Sequence, residues 1–186
     1  MTASPAHSQR PGGVAPGWAL VGPGAVGLYY GGLLARQGAA LHVLARSDYT
    51  ALKAQGLVIR MFEPCADEPR AVYTVRPARV ERDAARIGPV ERVMIAAKAT
   101  VNQALLPSLR ALVEPGRTVL LSLQNGMGNA EFLAQHFPTN PVLAGLGFVC
   151  VNRTAPGVVE NYPPGRVEVG SLGGAWPAAC AGVGAA

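Results

Sequence analysis

Short apolar runs alternate along the chain with segments in which apolar residues recur every three or four positions. The runs are typical of buried strands, and the longer periodicity is typical of core-facing helices. Strands are predicted at residues 18–21, 41–45, 57–62, 72–75, 92–97, 118–123 and 142–151. Helices are predicted at residues 26–37 and 47–55, after Thr100 and after Gly128. Two further extended pieces, at residues 157–161 and 166–170, flank a Pro-Pro-Gly sequence and predict a hairpin. This alternation predicts an α/β fold whose mostly parallel sheet has helices on both faces.

Residues that favour helix ends mark the borders of these elements. Gly38 and Gly56 are predicted to end the first two helices, because glycine readily adopts the left-handed conformation found at helix C-termini. Ser47 and Thr100 are predicted to cap the second and third helices, since their hydroxyl oxygens can accept a hydrogen bond from a free N–H of the first turn.

Composition divides the chain into three parts. Residues 1–17 are rich in Ser, Pro and Gly and are expected to form a disordered extension. Residues 18–172 carry the alternating pattern and are expected to form one domain. Residues 173–186 consist mostly of Gly and Ala without periodicity, so an irregular tail is expected there.

A glycine-rich turn is the first candidate for chemistry. Gly22-Pro23-Gly24-Ala25-Val26-Gly27 reads G-x-G-x-x-G, between a predicted strand and a predicted helix. In a Rossmann-like domain, the first glycine permits the tight turn, the second lets a pyrophosphate approach the backbone, and the third allows close packing of helix and strand. The free N–H groups at the helix N-terminus favour an anion. The alternative is a turn with a purely structural role.

Four predicted strands place polar or glycine-rich positions at their carboxyl ends. These positions are Gly22, Arg46, Lys98 and Asn125. Ligands of open α/β sheets bind at that edge, near the switch in strand order. The sequence therefore predicts a binding site that is assembled from four separate segments.

Arg46 indicates which dinucleotide the site would take. An NAD site usually has an Asp or Glu at the end of the second strand, where it binds the ribose 2′-hydroxyl. Here that strand ends in Leu44-Ala45-Arg46-Ser47 without an acid. A guanidinium can bind a 2′-phosphate through two hydrogen bonds. We therefore predict NADP(H) rather than NAD(H); the alternative is that Arg46 is a solvated surface residue.

Composition and charge argue against several other functions and locations. The formal net charge is +5, but the arginines are scattered and form no basic stripe with interleaved aromatics, so a nucleic-acid partner is not expected. No apolar run approaches the roughly 18 residues of a membrane span, and the N-terminal segment has no secretory h-region. The three cysteines are far apart and show no metal-ligand spacing. We expect free thiols in a reducing cytoplasm and no metal site.

Several segments together resemble the ketopantoate reductases (2-dehydropantoate 2-reductases). The resemblance covers about residues 18–172, and the Ala-Lys-Ala and Asn-Gly-Met-Gly segments are far more specific than the glycine loop. The matching segments are Val21 to Gly27 with Tyr30-Gly31, Ala45-Arg46-Ser47, Ala97-Lys98-Ala99, Gln124-Asn125-Gly126-Met127-Gly128, Asn152 to Val159, Gly165-Arg166 and Val169-Gly170.

The resemblance implies an oxidoreductase that reduces the ketone of 2-dehydropantoate to (R)-pantoate with NADPH, a step of pantothenate and coenzyme A synthesis. Residues 22–27 would hold the pyrophosphate and Arg46 the 2′-phosphate. Lys98 would lie beside the cofactor, Asn125 near the nicotinamide and the substrate, and Val151 along the same cleft. The alternatives are that Asn125 only forms a turn and that Lys98 is a surface charge.

The family also has a second, helical domain, which supplies the proton-donating lysine and much of the substrate pocket. No counterpart of that lysine is found in the 186 residues. We therefore expect no catalytic proton donor within this chain, and NADP(H) binding with little reductase activity when the chain is alone. Possible partners are a helical domain in trans or a second copy of the chain. The alternatives are another NADP-linked keto or hydroxy acid oxidoreductase and a non-catalytic NADP(H)-binding module.

Overall fold

The computed structural model describes residues 15–173, apart from the side chains of residues 15, 16 and 164. Nine strands lie within this range: β1 (Ala15–Val21), β2 (Leu41–Leu44), β3 (Leu57–Met61), β4 (Ala71–Val75), β5 (Arg79–Glu81), β6 (Val90–Ile95), β7 (Val119–Ser122), β8 (Val142–Ala155) and β9 (Val158–Ser171). The α-helices in the same range are α1 (Ala25–Arg36), α2 (Tyr49–Gln55), α3 (Asn102–Leu112) and α4 (Asn129–His136). Short 3₁₀ turns occupy residues 84–86 and 99–101.

The nine strands form one sheet in the order β4-β3-β9-β8-β7-β6-β1-β2-β5. Six of the eight neighbouring pairs are parallel. The other two, β3 with β4 and β8 with β9, are antiparallel. The prediction of a mostly parallel sheet is confirmed. Because β1 lies between β2 and β6, the turn after β1 has a parallel strand on each side at the carboxyl edge.

Two apolar clusters cover the two faces of the sheet, as predicted. One packs α1 and α2 against Leu20, Val43 and Met94. The other packs α3 and α4 against residues of the opposite face, including Val93 of β6 and Leu120 of β7. The alternation of strand side chains sends successive residues to opposite faces. Each fully buried leucine contributes about 1.5–3 kcal/mol to folding, so the strand tips are held by a rigid core.

The segment after β8 differs from the prediction. The prediction of a hairpin around Pro163-Pro164-Gly165 is wrong. Both extended pieces belong to the single strand β9, which pairs along its length with β8. Cys150 lies opposite Tyr162 and Val149 opposite Gly165, so the two prolines are the extra residues of a bulge. Proline has no N–H to donate to the ladder, and a bulge is a place in a strand that tolerates it.

The predicted helix caps were also wrong. The Ser47 hydroxyl donates to Asp48 Oδ1 at 2.8 Å, and α2 begins after Asp48. Thr100 lies in the 3₁₀ turn that precedes α3, and no side chain caps that helix at Val101. The predicted helix ends are confirmed at Gly38 and Gly56, whose φ angles are +92° and +80°.

The predictions for the two ends of the chain fall mostly outside the described residues. β1 begins at Ala15, inside the segment predicted as an extension, and residues 1–14 and 174–186 lie outside the described range. The short strand β5 was not predicted. None of the helices between residues 15 and 173 is long and apolar enough to cross a membrane.

The β8–β9 hairpin is docked onto α1 through tyrosine. The Tyr30 hydroxyl donates to the carbonyl oxygen of Arg166 at 2.9 Å. Burial, with the neighbouring Tyr29, raises the pKa of Tyr30 to about 12, so the hydroxyl stays a donor at physiological pH. This bond fixes the hairpin next to the helix that begins at the glycine turn.

Candidate functional site

Two glycines of the turn after β1 are required by the packing of the chain itself. Gly22 has a φ of +87°, and a Cβ there would lie 2.3 Å from the backbone nitrogen of Ala97. A Cβ at Gly27 would lie 2.6 Å from the carbonyl oxygen of Gly22. Both positions therefore need a residue without a side chain, in agreement with the predicted tight turn and the close approach of helix and strand.

Gly24 differs from these two glycines. It is exposed, its φ is −80°, and a Cβ built on it would meet no protein atom within 4 Å. Neither backbone conformation nor internal packing therefore requires a glycine at this position. Gly24 is the N-cap of α1, and the first turn of that helix carries no acidic residue. A bare backbone at a helix N-terminus is suited to the close approach of an anion.

The neighbouring residues of the motif contribute in another way. Ala25 and Val26 are half-buried and pack against the apolar cluster on the α1 face. Their side chains hold the start of α1 on the sheet, so any contact with a ligand would come from their main chain. Pro23 lies on the cleft side of the turn.

A cleft of about 420 Å³ opens beside the turn, at the carboxyl ends of β1, β2, β5 and β6. It contains five of the predicted site residues: Gly22, Pro23, Gly24, Arg46 and Lys98. Further lining residues that were not predicted as site residues are Ser47, Arg82, Val101, Ser108 and Arg153. The predicted convergence at the sheet edge is therefore seen for the turn, the end of β2 and the end of β6.

Positive charge dominates the cleft. Arg46, Arg82, Lys98 and Arg153 line it, whereas none of its described lining residues is acidic. Arg153 is paired with Asp48, but the other three cations have no ion pair within residues 15–173. Three uncompensated cations on a concave wall attract a ligand with several negative charges.

Asp48 ties the wall of the cleft to the β8–β9 hairpin. It is 1% exposed and accepts hydrogen bonds from the Gly157 amide at 3.0 Å, the Ser47 hydroxyl and the Arg153 guanidinium. Burial alone raises the pKa of this carboxyl, but the bonds from Gly157, Ser47 and Arg153 outweigh it, so the pKa lies below its usual value. Asp48 therefore stays ionised and holds Ser47 and Arg153 at the cleft.

A series of side-chain amides connects the segment after β6 with the loop after β7. Gln124 Nε2 donates to the carbonyl oxygen of Ala97 at 2.9 Å and to Asn102 Oδ1 at 2.6 Å. Asn102 Nδ2 donates to Asn129 Oδ1 at 3.0 Å. Asn129 Nδ2 in turn donates to the carbonyl oxygens of Asn125 and Gly126, each at 3.1 Å. The segment that carries Lys98 is thereby joined to the loop that follows β7.

The other five predicted site residues do not line the cleft: Ala25, Val26 and Gly27 of the first turn of α1, Asn125 and Val151. Asn125 is exposed at the carboxyl end of β7, on the same edge of the sheet, and its carbonyl oxygen is held by Asn129. Val151 is half-buried in β8, opposite Asn161, and packs against the α1-side core. The roles expected for Asn125 at the nicotinamide and substrate, and for Val151 along the cleft, stay predictions.

The fold and this edge define a class of protein. A mostly parallel sheet with helices on both faces, a glycine turn after β1 and a cationic cleft at its carboxyl edge is the arrangement of a Rossmann-like domain.

The family follows from comparison with known proteins. The family model described as ketopantoate reductase PanE/ApbA matches residues 18–174, so the chain belongs to that family. It is 30% identical over 153 residues to the 2-dehydropantoate 2-reductase of Nostoc sp. strain PCC 7120, a match that covers 82% of this chain and 46% of that protein.

Solved structures agree with this assignment. The 2-dehydropantoate 2-reductase of Geobacter metallireducens GS-15 is 38% identical, with a TM-score of 0.72 over 83% of this chain and 49% of that one. The enzyme of Methylococcus capsulatus is 34% identical, with a TM-score of 0.75 over 87% and 50% of the two chains. The chain thus spans about half the length of the relatives that it matches.

Proposed function

We propose that this chain binds NADP(H) in the cationic cleft and is the cofactor-binding part of an NADPH-dependent 2-dehydropantoate 2-reductase. That activity reduces the ketone of 2-dehydropantoate to (R)-pantoate in pantothenate and coenzyme A synthesis, and we assign it to the cytoplasm. One observation carries the proposal. Three cations that form no ion pair among the described residues line a cleft beside Gly24, whose missing side chain serves no need of the chain's own packing.

The residues present fit a dinucleotide. The exposed backbone of Gly24 and the N-terminus of α1 suit a diphosphate, since main-chain N–H groups and the helix dipole both favour negative charge. A residue with a side chain at position 24 would occupy the space through which the diphosphate approaches. The cleft volume of about 420 Å³ is within the usual range for cofactor sites.

Arg46 supports NADP(H) over NAD(H). It follows β2 at the position where an NAD site has an acid, and it lines the cleft without an ion pair among the described residues. A guanidinium there attracts a 2′-phosphate, whereas a carboxylate would repel it. The ribose of NAD(H) offers Arg46 only a neutral hydroxyl, which is a weaker acceptor.

The chain's own contribution to the reaction is binding and orientation. When bound, the reduced nicotinamide supplies a hydride to the ketone carbon. Lys98 places a positive charge at the cleft, and the bond from Gln124 to the Ala97 carbonyl fixes the backbone that carries it. Asn125, at the adjacent strand end, offers an amide that can orient the nicotinamide or the keto acid.

The proton donor is proposed to lie outside this chain. Lys98 and Lys53 are the lysines of the sequence, and Lys53 donates to the Tyr49 hydroxyl on α2. Neither matches the proton-donating lysine that the family resemblance puts in a helical domain. Loss of a general acid slows a reaction by about 10²–10⁴-fold. The 186-residue polypeptide alone is therefore expected to bind NADP(H) and to reduce 2-dehydropantoate poorly.

Fluorescence titration of the 186-residue polypeptide with NADPH and with NADH tests the proposal. The wild type should bind NADPH at least about tenfold more tightly. Arg46→Ala should remove most of that preference, while Arg86→Ala, which removes an exposed arginine that does not line the cleft, should leave it intact. Equal affinity of the wild type for the two nucleotides would disprove the NADP(H) assignment.

An activity assay tests the proposal that the proton donor lies outside this chain. The same polypeptide, mixed with NADPH and 2-dehydropantoate, should oxidise NADPH no faster than a control without substrate. Rapid oxidation would show that a proton donor is present in this chain and would overturn that part of the proposal. A panel of other 2-keto acids in the same assay tests the alternative oxidoreductases.

A further inference from the structure

Arg82 was not predicted as a site residue, yet β5 delivers it to the same place as Arg46. β5 pairs in parallel with β2, with Leu44 opposite Glu81. The Ala45 amide continues the ladder by donating to the carbonyl oxygen of Glu81 at 2.9 Å. Arg46 and Arg82 therefore emerge from neighbouring strand ends, and both line the cleft.

Tyr49 positions the Arg82 side chain. The guanidinium carbon of Arg82 lies 4.8 Å from the centroid of the Tyr49 ring, which is a cation–π contact. Tyr49 begins α2, and its hydroxyl accepts from Lys53 Nζ at 3.0 Å. The contact involves the face of a ring and leaves the N–H groups of the guanidinium available to an acceptor.

In the part of the chain that the structure describes, no carboxylate neutralises the two guanidinium groups. No carboxylate within residues 15–173 forms an ion pair with Arg46 or Arg82, and none of the described cleft residues is acidic. Like charges on one wall repel each other, and an anion placed between them reverses the sign of that interaction. A phosphomonoester carries close to two negative charges at neutral pH and accepts several hydrogen bonds, so it matches two guanidinium groups.

We infer that Arg82 is the second cation of a subsite for the ribose 2′-phosphate, next to Arg46, with Tyr49 as its positioning residue. This inference rests on the proposed NADP(H) site and adds a residue that determines specificity for the phosphorylated cofactor. The juxtaposition of β2 and β5 creates the subsite, so neither strand end provides it alone.

Titrations of variants with NADPH and NADH test the inference. Arg82→Ala should weaken NADPH binding by about tenfold or more and leave NADH binding within about twofold. Tyr49→Leu should weaken NADPH binding by about two- to fivefold, because it removes the ring that positions Arg82 and leaves the guanidinium itself in place. Arg86→Ala is the matched control for loss of one positive charge and should change neither affinity. Thermal unfolding checks that each variant folds, and Arg82→Gln replaces Arg82→Ala if needed.

The pH dependence provides a readout that a structural role of Arg82 would not affect. With 2′,5′-ADP as the probe, the cost of Arg82→Ala should shrink as the pH falls from about 7.5 to 5, because the phosphomonoester loses its second charge near pH 6. With 5′-AMP, which lacks the 2′-phosphate, Arg82→Ala should change the binding affinity little at either pH.

The outcomes separate the two proposals. If the wild type shows no preference for NADPH over NADH, the proposed cofactor is wrong, and the inference fails with it. A second outcome is that the wild type prefers NADPH while Arg82→Ala weakens the binding of both nucleotides equally, or of neither. In that case Arg82 does not contact the 2′-phosphate. The NADP(H) site then stands, with Arg46 as its cation.

Discussion

Two stretches of the same sheet edge differ in where their polar groups find partners. After β7, the amides of Gln124, Asn102 and Asn129 bond to one another and to main-chain carbonyls. After β2 and β5, the guanidinium groups of Arg46 and Arg82 face the cleft without an ion pair among residues 15–173. Polar groups that are satisfied internally hold the shape of the edge, and those that are not can bind a ligand.

The glycines of the first turn show the same division on a smaller scale. Gly22 and Gly27 lack side chains because backbone atoms of the protein occupy the space. Gly24 lacks one although the space beside it is open. Stability and binding should therefore respond separately to substitution along this edge, and the following variants test that separation in order of decreasing effect on stability.

Gly22→Ala should cause the largest loss. The methyl group would clash with the backbone of Ala97, and the φ of +87° is strained for any residue with a side chain. Together these should cost about 2–4 kcal/mol in the free energy of unfolding. Gly38→Ala is the matched control, since Gly38 has a φ of +92° but open space around it. Denaturant titration of both variants measures the difference; equal losses would mean that the close approach to Ala97 is unimportant.

Gln124→Leu tests the hydrogen-bonded amides after β7. It removes the donor to the Ala97 carbonyl and to Asn102, which leaves two half-buried acceptors without this partner and should cost about 1–3 kcal/mol. Met127→Ala, at a fully exposed position in the same loop, should change stability by less than about 0.5 kcal/mol. Urea unfolding of the two variants checks this. A Gln124→Leu variant as stable as the wild type would contradict the role of the amide chain.

Asp48→Ala should show a pH-dependent loss of about 1–2 kcal/mol. The pKa of Asp48 in the folded state is below its ordinary value of 3.8. Its ionised form therefore stabilises the fold fully above about pH 4, and this contribution disappears as the pH falls through the folded-state pKa. The difference in unfolding free energy between wild type and variant should shrink at low pH. The exposed Asp67, changed to alanine, provides the control. A difference that stays constant down to pH 2 would contradict the assignment.

Gly24→Ala should have the smallest effect on stability and a clear effect on binding. Alanine is a slightly poorer N-cap than glycine, but it lowers the entropy of the unfolded chain, so the two effects nearly cancel to within about 0.5 kcal/mol. NADPH affinity should nevertheless fall by about tenfold, because the methyl group lies in the path of the diphosphate. Unchanged affinity in a calorimetric titration would show that no ligand approaches this backbone.

Much of the fold could be predicted because its elements repeat a strong local pattern. β1, α1, β2 and β7 follow from apolar runs that are interrupted by glycine, within a few residues of the observed bounds. β5 could not be predicted, since its three residues include two charged side chains and it exists by pairing with β2. β9 was divided in two because a Pro-Pro-Gly sequence suggests a turn, whereas the long partner strand β8 accommodates it as a bulge.

The site was predictable only where a residue comes directly after a strand that the apolar pattern predicts. Gly22, Arg46 and Lys98 do so, and they line one cleft. Arg82 follows a strand that the pattern does not show. The bonds of Gln124 to Asn102 join residues 22 positions apart in the chain. Such partners depend on the tertiary fold and leave no periodic signal in the sequence.

A crystal structure of the 186-residue polypeptide with NADP⁺ tests the central claim most directly. We expect the diphosphate to lie against Gly22 to Gly24 at the start of α1, with the 2′-phosphate in contact with Arg46. A nucleotide bound elsewhere, or one whose 2′-phosphate points away from the strand end that carries Arg46, would contradict it.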